Sequence, residues 1–177
     1  FGFGAGVAQE RERGWLTLKR AVPAPAGALL VAKTTATILI ASVSLAAIYA
    51  VAAFAADVDL PPLVWLSLLL VHVLSAIPFV LIGLALGFVF GANAAVAVAN
   101  ILYLGMAVLG GLWMPVSVFP RIMAQIAQFL PSFHLAEIAL SISGAAGEKA
   151  MLGHVLATLV ITALAAGLAL LAWARQR

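Results

Sequence analysis

Cysteine is absent from the 177 residues, and acidic side chains nearly so: six Asp and Glu stand beside nine Lys and Arg. With no thiol there is no disulfide framework, no thiolate metal site and no iron–sulfur cluster. Charged residues make up 8% of the chain, whereas a water-soluble domain uses roughly 25% to coat its surface. The 15 glycines follow no three-residue period, which excludes a collagen-like fold. Disorder is excluded too, because 66% of the residues are hydrophobic and such a chain collapses or inserts. An all-α polytopic membrane protein remains. In that setting the formal charge of +3 marks topology beside membrane spans rather than nucleic-acid binding.

A membrane crossing needs about 20 mostly apolar residues, and four segments supply them: 28–54, 63–90, 94–113 and 151–173. Lys33 stands near the start of the first, within snorkelling distance of the headgroups. Ahead of these, the apolar run Phe1 to Ala8 precedes the charged run Gln9 to Arg13. A secretory signal has the opposite order, so Phe1 to Ala8 is expected to be the close of a preceding span and the chain a piece of a longer protein. Alternating spans place Arg11, Arg13, Lys19, Arg20, Arg175 and Arg177 on one side, with Lys33 near it. By the positive-inside rule that side is cytoplasmic. Asp57, Asp59, Pro61 and Pro62 then form an external turn, with Trp65 as an aromatic anchor.

Residues 115–148 are broken by Pro115, Pro120 and Pro131 and predict external re-entrant helices instead of a fifth span. Arg121, Gln125 and Gln128 fall at i, i+4 and i+7, with Ile122, Ile126, Phe129 and Leu130 on another face, the pattern of an interfacial amphipathic helix. A second short helix is expected over Phe133 to Ile142.

Chemical motifs are sparse. Gly27 to Thr34, GALLVAKT, matches the phosphate-binding loop GxxxxGK[ST] except at Ala32, but it runs into an apolar helix with no preceding strand, so no nucleotide site is expected. His72, His134 and His154 lack metal-ligand spacing, and no GxSxG elbow or paired carboxylates suggest catalysis. Neither a bound cofactor nor a metal is expected.

Three other features call for a role. Gly83, Gly87 and Gly91 recur every four residues and make a smooth helix groove, suited to packing within the chain or to a subunit interface. Asn93, Asn100 and Tyr103 place polar groups along the third span, to line a translocation path or to bond between helices; Glu137 is the acid expected at some membrane depth. The segment 9–25 alternates charge over Glu10, Arg11, Glu12 and Arg13, then spaces Trp15, Leu18 and Val22 at i, i+3 and i+7 until Pro23 and Pro25 stop it. It predicts a short amphipathic cytoplasmic helix, or else an ordinary basic loop.

ERERGWLTLKRAVPAP, the early Lys33, and the ordered run GANAAVAVAN, GGLWMP and FLPSFHLAE together resemble the permease subunit of type-2 ATP-binding-cassette exporters, over essentially the whole chain. Trp15 follows Gly14 in place of the family's Thr, which is commonly replaced. The resemblance implies a six-span subunit, here the end of the second span through the sixth, in the bacterial plasma membrane. It further implies pairing with a second permease copy, as homo- or heterodimer. An ATP-binding subunit would use ATP and Mg and dock on a coupling helix formed by Glu10, Arg11, Glu12, Arg13, Gly14 and Trp15. A non-transporting scaffold subunit and a membrane-embedded enzyme are the alternatives. No nucleic-acid partner is implied.

Overall fold

A computed structural model describes residues 2–15, 28–145 and 151–175, and among them only helices and turns occur. In chain order these are α1 (Gly2–Glu12), α2 (Ala28–Phe54), α3 (Pro62–Val89), α4 (Ala92–Leu109), a 3₁₀ turn (Val116–Val118), α5 (Arg121–Ala127), α6 (Pro131–Ile142) and α7 (Met151–Ala174). Four helices are long and apolar enough to cross a membrane: α2 from Val31, α3, α4 and α7. Leu18, Lys19, Arg20, Val22, Pro23, Pro25, Gly27, Glu148, Lys149 and Arg177, on which parts of the sequence reading fell, lie outside the described residues.

The four long helices run Ala28–Phe54, Pro62–Val89, Ala92–Leu109 and Met151–Ala174, beside the expected 28–54, 63–90, 94–113 and 151–173. The third span ends at Leu109 and not at residue 113. Gly111 has φ +82, a left-handed conformation in which a side chain is strained. The Gly111 N–H reaches the Val108 carbonyl at 3.4 Å and the Leu112 N–H reaches that of Ala107 at 3.1 Å, the paired bonds of a Schellman stop. With 18 residues, α4 rises about 27 Å, just under the hydrocarbon thickness of about 30 Å.

The chain divides into two units. Unit 1 comprises 1–37, 77–104 and 161–177; unit 2 comprises 38–76 and 105–160. Each spanning helix therefore gives one stretch to each unit. In unit 1, Val7, Val80, Leu84, Phe88, Ala169, Ala172 and Trp173 form the core, with the Phe88 and Trp173 rings 5.2 Å apart. A smaller core joins Ala8 to Ala92 and Ala95. The glycine groove of α3 is occupied by α1 of the same chain. A Cβ built on Gly4 would clash with the Gly83 carbonyl, and one built on Gly87 would clash with the Gly4 carbonyl. Only bare backbone fits at this crossing, the use that membrane helices make of small residues.

In unit 2 the proline-broken segment forms the 3₁₀ turn and the two short helices α5 and α6. Pro120 and Leu130 sit at the N-caps of α5 and α6, and proline at the start of each segment costs no hydrogen bond that the helix would otherwise make. Ala127 is buried while Ile122 and Phe129 stand 72% and 80% exposed, leaving an apolar face open, as an interfacial helix requires. The hydrophobic window of α2 contains no buried residue at all. Such a face would destabilise a protein in water, but hydrocarbon chains are as apolar as leucine and accept it.

The glycine crossing yields a direct test. Gly87→Ala is expected to lower stability by about 1–3 kcal/mol, the usual cost of overpacking. Gly167→Ala, where an added Cβ meets nothing within 4 Å, is expected to be neutral or slightly stabilising. Thermal unfolding of the two variants in one detergent compares them.

Candidate functional site

Helix ends leave backbone groups without partners: carbonyls at the C-terminus, N–H groups at the N-terminus, with partial negative and positive charge respectively. Between α3 and α4 only Phe90 and Gly91 intervene, so two such ends of opposite sign lie side by side. The last turn of α1 supplies a charge for each. The Arg11 guanidinium donates to the Phe88 carbonyl and, at 2.6 Å, to that of Phe90. The Glu12 carboxylate accepts the Ala92 N–H at 2.7 Å, at the first residue of α4. A third contact runs to α2: Lys33 Nζ donates to Glu10 Oε1 at 2.8 Å, with both side chains mostly covered. Three consecutive residues thus tie α1 to the ends of α2, α3 and α4.

This arrangement revises the expected shape of segment 9–25. Gln9 to Glu12 continue α1 instead of opening a new helix. The chain then turns through Arg13 and Gly14, where the Gly14 N–H bonds the Arg11 carbonyl at 3.0 Å and φ is +73. Helical backbone resumes at Trp15. Glu10, Arg11 and Glu12 are engaged inside the chain, whereas Arg13 and the Trp15 ring, 56% exposed, face outward. Lys33 ends on Glu10 rather than among headgroups, and the phosphate-loop look-alike from Ala28 onward is part of α2. Gly91 belongs to this site and not to the helix crossing, since a Cβ there would stand 2.8 Å from Glu12 Oε1.

The polar residues of α4 lie apart from that site. Asn93, Asn100 and Tyr103 are all exposed, while Ala92, Ala95 and Ala99 on the opposite side are buried. None of the three polar side chains makes a hydrogen bond to another described residue.

Unit 2 holds a cluster that residue spacing did not reveal. His134 of α6 and His154 of α7 approach with Nδ1 to Nδ1 at 3.0 Å, and His134 Nε2 lies 2.8 Å from the Gln128 carbonyl. A carbonyl only accepts, so His134 Nε2 carries a proton. With His134 neutral, its Nδ1 accepts from His154 Nδ1–H. The Phe133 ring stacks edge-on against both imidazoles. Glu137 follows on α6, half-buried. Among the described residues no group of three or more His, Asp or Glu could hold a metal ion. The Ser132 hydroxyl donates to the Met106 carbonyl at 2.8 Å, binding α6 to the last turn of α4. In α3, His72 Nδ1 donates to the Leu68 carbonyl at 2.8 Å and faces the Tyr49 hydroxyl at 2.9 Å.

Residues 1–174 match the family described as ABC-2 family transporter protein. The chain belongs to the ABC-2 transporter family. This ABC-2 permease is similar to YvfS of Bacillus subtilis (strain 168), named as a transport permease, at 34% identity over 131 residues. The match covers 74% of this chain and 54% of the relative, so the chain spans about half the length of the curated protein it matches. No solved structure matches it. The family and the four apolar helices make this ABC-2 permease a multi-pass membrane protein of transport.

Removing the Glu12 carboxylate tests the helix-end contacts. Glu12→Ala is expected to cost about 1 kcal/mol, as loss of a helix-start acceptor does, read from denaturation in detergent. Glu10→Lys sets two cations together, and the further change Lys33→Glu is expected to recover part of the lost stability. A double-mutant cycle on this pair measures the recovery.

Proposed function

We propose that this chain forms the membrane-embedded part of an ATP-driven exporter, with Arg13, Gly14 and Trp15 as the surface that a separate ATP-binding-cassette ATPase grips. The observation that carries the proposal is the three-residue tie formed by Glu10, Arg11 and Glu12. A loop that only obeys the positive-inside rule needs charge but no fixed partners. Here the charges of Glu10, Arg11 and Glu12 are each spent on a different helix, so displacement of the turn after α1 would be felt by α2, α3 and α4. The outward Trp15 ring has the large, stiff apolar surface that anchors protein interfaces, and it stands beside the basic Arg13.

On this proposal the turn faces the cytoplasm of a bacterial cell and the chain resides in the plasma membrane. A second permease copy completes the path. ATP with Mg is used by the partner subunit. The exposed stripe of Asn93, Asn100 and Tyr103 along α4 lines the route, because unsatisfied polar groups in a spanning helix are favourable only where water, cargo or another chain meets them. Glu137, on α6 in the other unit, is a further candidate for contact with cargo. The scarcity of charge in the spans suits an apolar or amphipathic cargo.

Co-purification of the full-length protein with its ATPase tests the docking surface. Trp15→Ala combined with Arg13→Glu is expected to reduce ATPase retention in mild detergent at least tenfold, the effect of losing a hot-spot aromatic and reversing a rim charge. Membrane insertion should be unchanged. Undiminished retention would remove the coupling role. For the route, Asn100→Leu is expected to lower transport while leaving ATPase retention intact; transport at the unmodified rate would take Asn100 out of the path.

A further inference from the structure

A groove of about 470 Å³ lies in unit 1 between the ends of α3 and α7, closed on one side by α1. Its walls are hydrocarbon: Leu86 and Val89 from α3, Leu168 and Leu171 from α7. Val89, Leu168 and Leu171 are each more than 60% exposed, so the groove opens along the flank of two spanning helices. The charged side chains lining it are two arginines, Arg11 and Arg175. Neither acid of this unit that the structure describes, Glu10 or Glu12, lines it; both are turned to Lys33 and Ala92.

We propose that this groove binds an anionic phospholipid, with its phosphate between Arg11 and Arg175 and the upper part of an acyl chain along Leu86, Val89, Leu168 and Leu171. The apolar wall faces the membrane, where hydrocarbon chains are the available filling. The headgroup is selected by charge. A guanidinium has five N–H donors in a planar fork that matches phosphate oxygens. Arg11 uses part of its fork on the Phe88 and Phe90 carbonyls and has donors left over. Arg175, exposed just beyond the last residue of α7, makes no side-chain hydrogen bond or ion pair with another described residue. A zwitterionic headgroup would bring an ammonium to a site without a carboxylate to receive it, whereas a headgroup with net negative charge meets two cations and no opposing acid. Basic pockets between spanning helices recognise anionic headgroups in this manner.

On the orientation proposed above the lipid would belong to the cytoplasmic leaflet; its selectivity does not depend on that orientation. Binding is therefore measured on the purified full-length protein in detergent, where sidedness plays no part and failure would leave the transport proposal intact. Native mass spectrometry with equimolar dioleoyl-phosphatidylglycerol and dioleoyl-phosphatidylcholine reads the ratio of the two bound to the same folded protein. The natural sequence is expected to favour the glycerol lipid. Arg175→Gln should lower that ratio about fivefold, the weight of one basic residue at an anionic surface. Soluble glycerol 3-phosphate at the lipid's concentration should displace neither lipid, because it lacks the chain that the groove holds. Equal binding of the two lipids by the natural sequence, or an unchanged ratio in Arg175→Gln, would overturn the proposal. So would displacement by glycerol 3-phosphate, which would make the site one for free anions.

Discussion

Opposite charges placed on opposite helix ends hold α1 to the junction of α3 and α4. Where α3 stops and α4 starts, the backbone presents carbonyls and then N–H groups within a few residues. In a membrane protein neither set can be left to hydrocarbon. Arg11 meets the carbonyls and Glu12 meets the N–H group, so adjacent residues of one helix satisfy both ends of a connection about 80 positions away in sequence. Such contacts are worth more near a membrane than on a soluble protein, because the effective dielectric falls as water is excluded. They also fix the register of α1: sliding it by one residue would present an acid to the carbonyls and a base to the N–H groups.

Composition and hydropathy were enough to read the spans, because insertion is decided by runs of about 20 residues and the prolines mark the breaks plainly. The close of α4 escaped that reading: Trp113 and Leu112 extend the apolar run, and hydropathy is blind to the left-handed glycine at 111 that stops the helix. The amphipathic pattern at 121–128 needed only local spacing, and it is present. At the functional region the limits are different. The alternating charges of Glu10, Arg11, Glu12 and Arg13 stood out in the sequence, but their partners did not, since Phe88, Phe90 and Ala92 contribute backbone atoms and a sequence does not show which backbone is uncapped. The partner of the Gly83 and Gly87 groove was hidden for a similar reason. Gly4 is one small residue among several in an apolar stretch, and only the crossing of α1 over α3 distinguishes it. His134 and His154, on separate helices, offered no periodicity to read.

Helix α1 carries a smooth contact near its start and an interlocking end. Val7 is wholly buried against the α3 and α7 core and Ala8 against Ala92 and Ala95 of α4, yet the contact at Gly4 is made by main chain alone. Neutral contacts of main chain on main chain have no interdigitating side chains to strip apart, so they allow rotation about the point of touch more readily than knobs set in holes. From Gly4 to Glu12 the helix rises about 12 Å. Were the charged tip pushed, as the coupling role proposed above requires, the glycine crossing would serve as the fulcrum of a lever whose arm ends in the bonds to α2, α3 and α4.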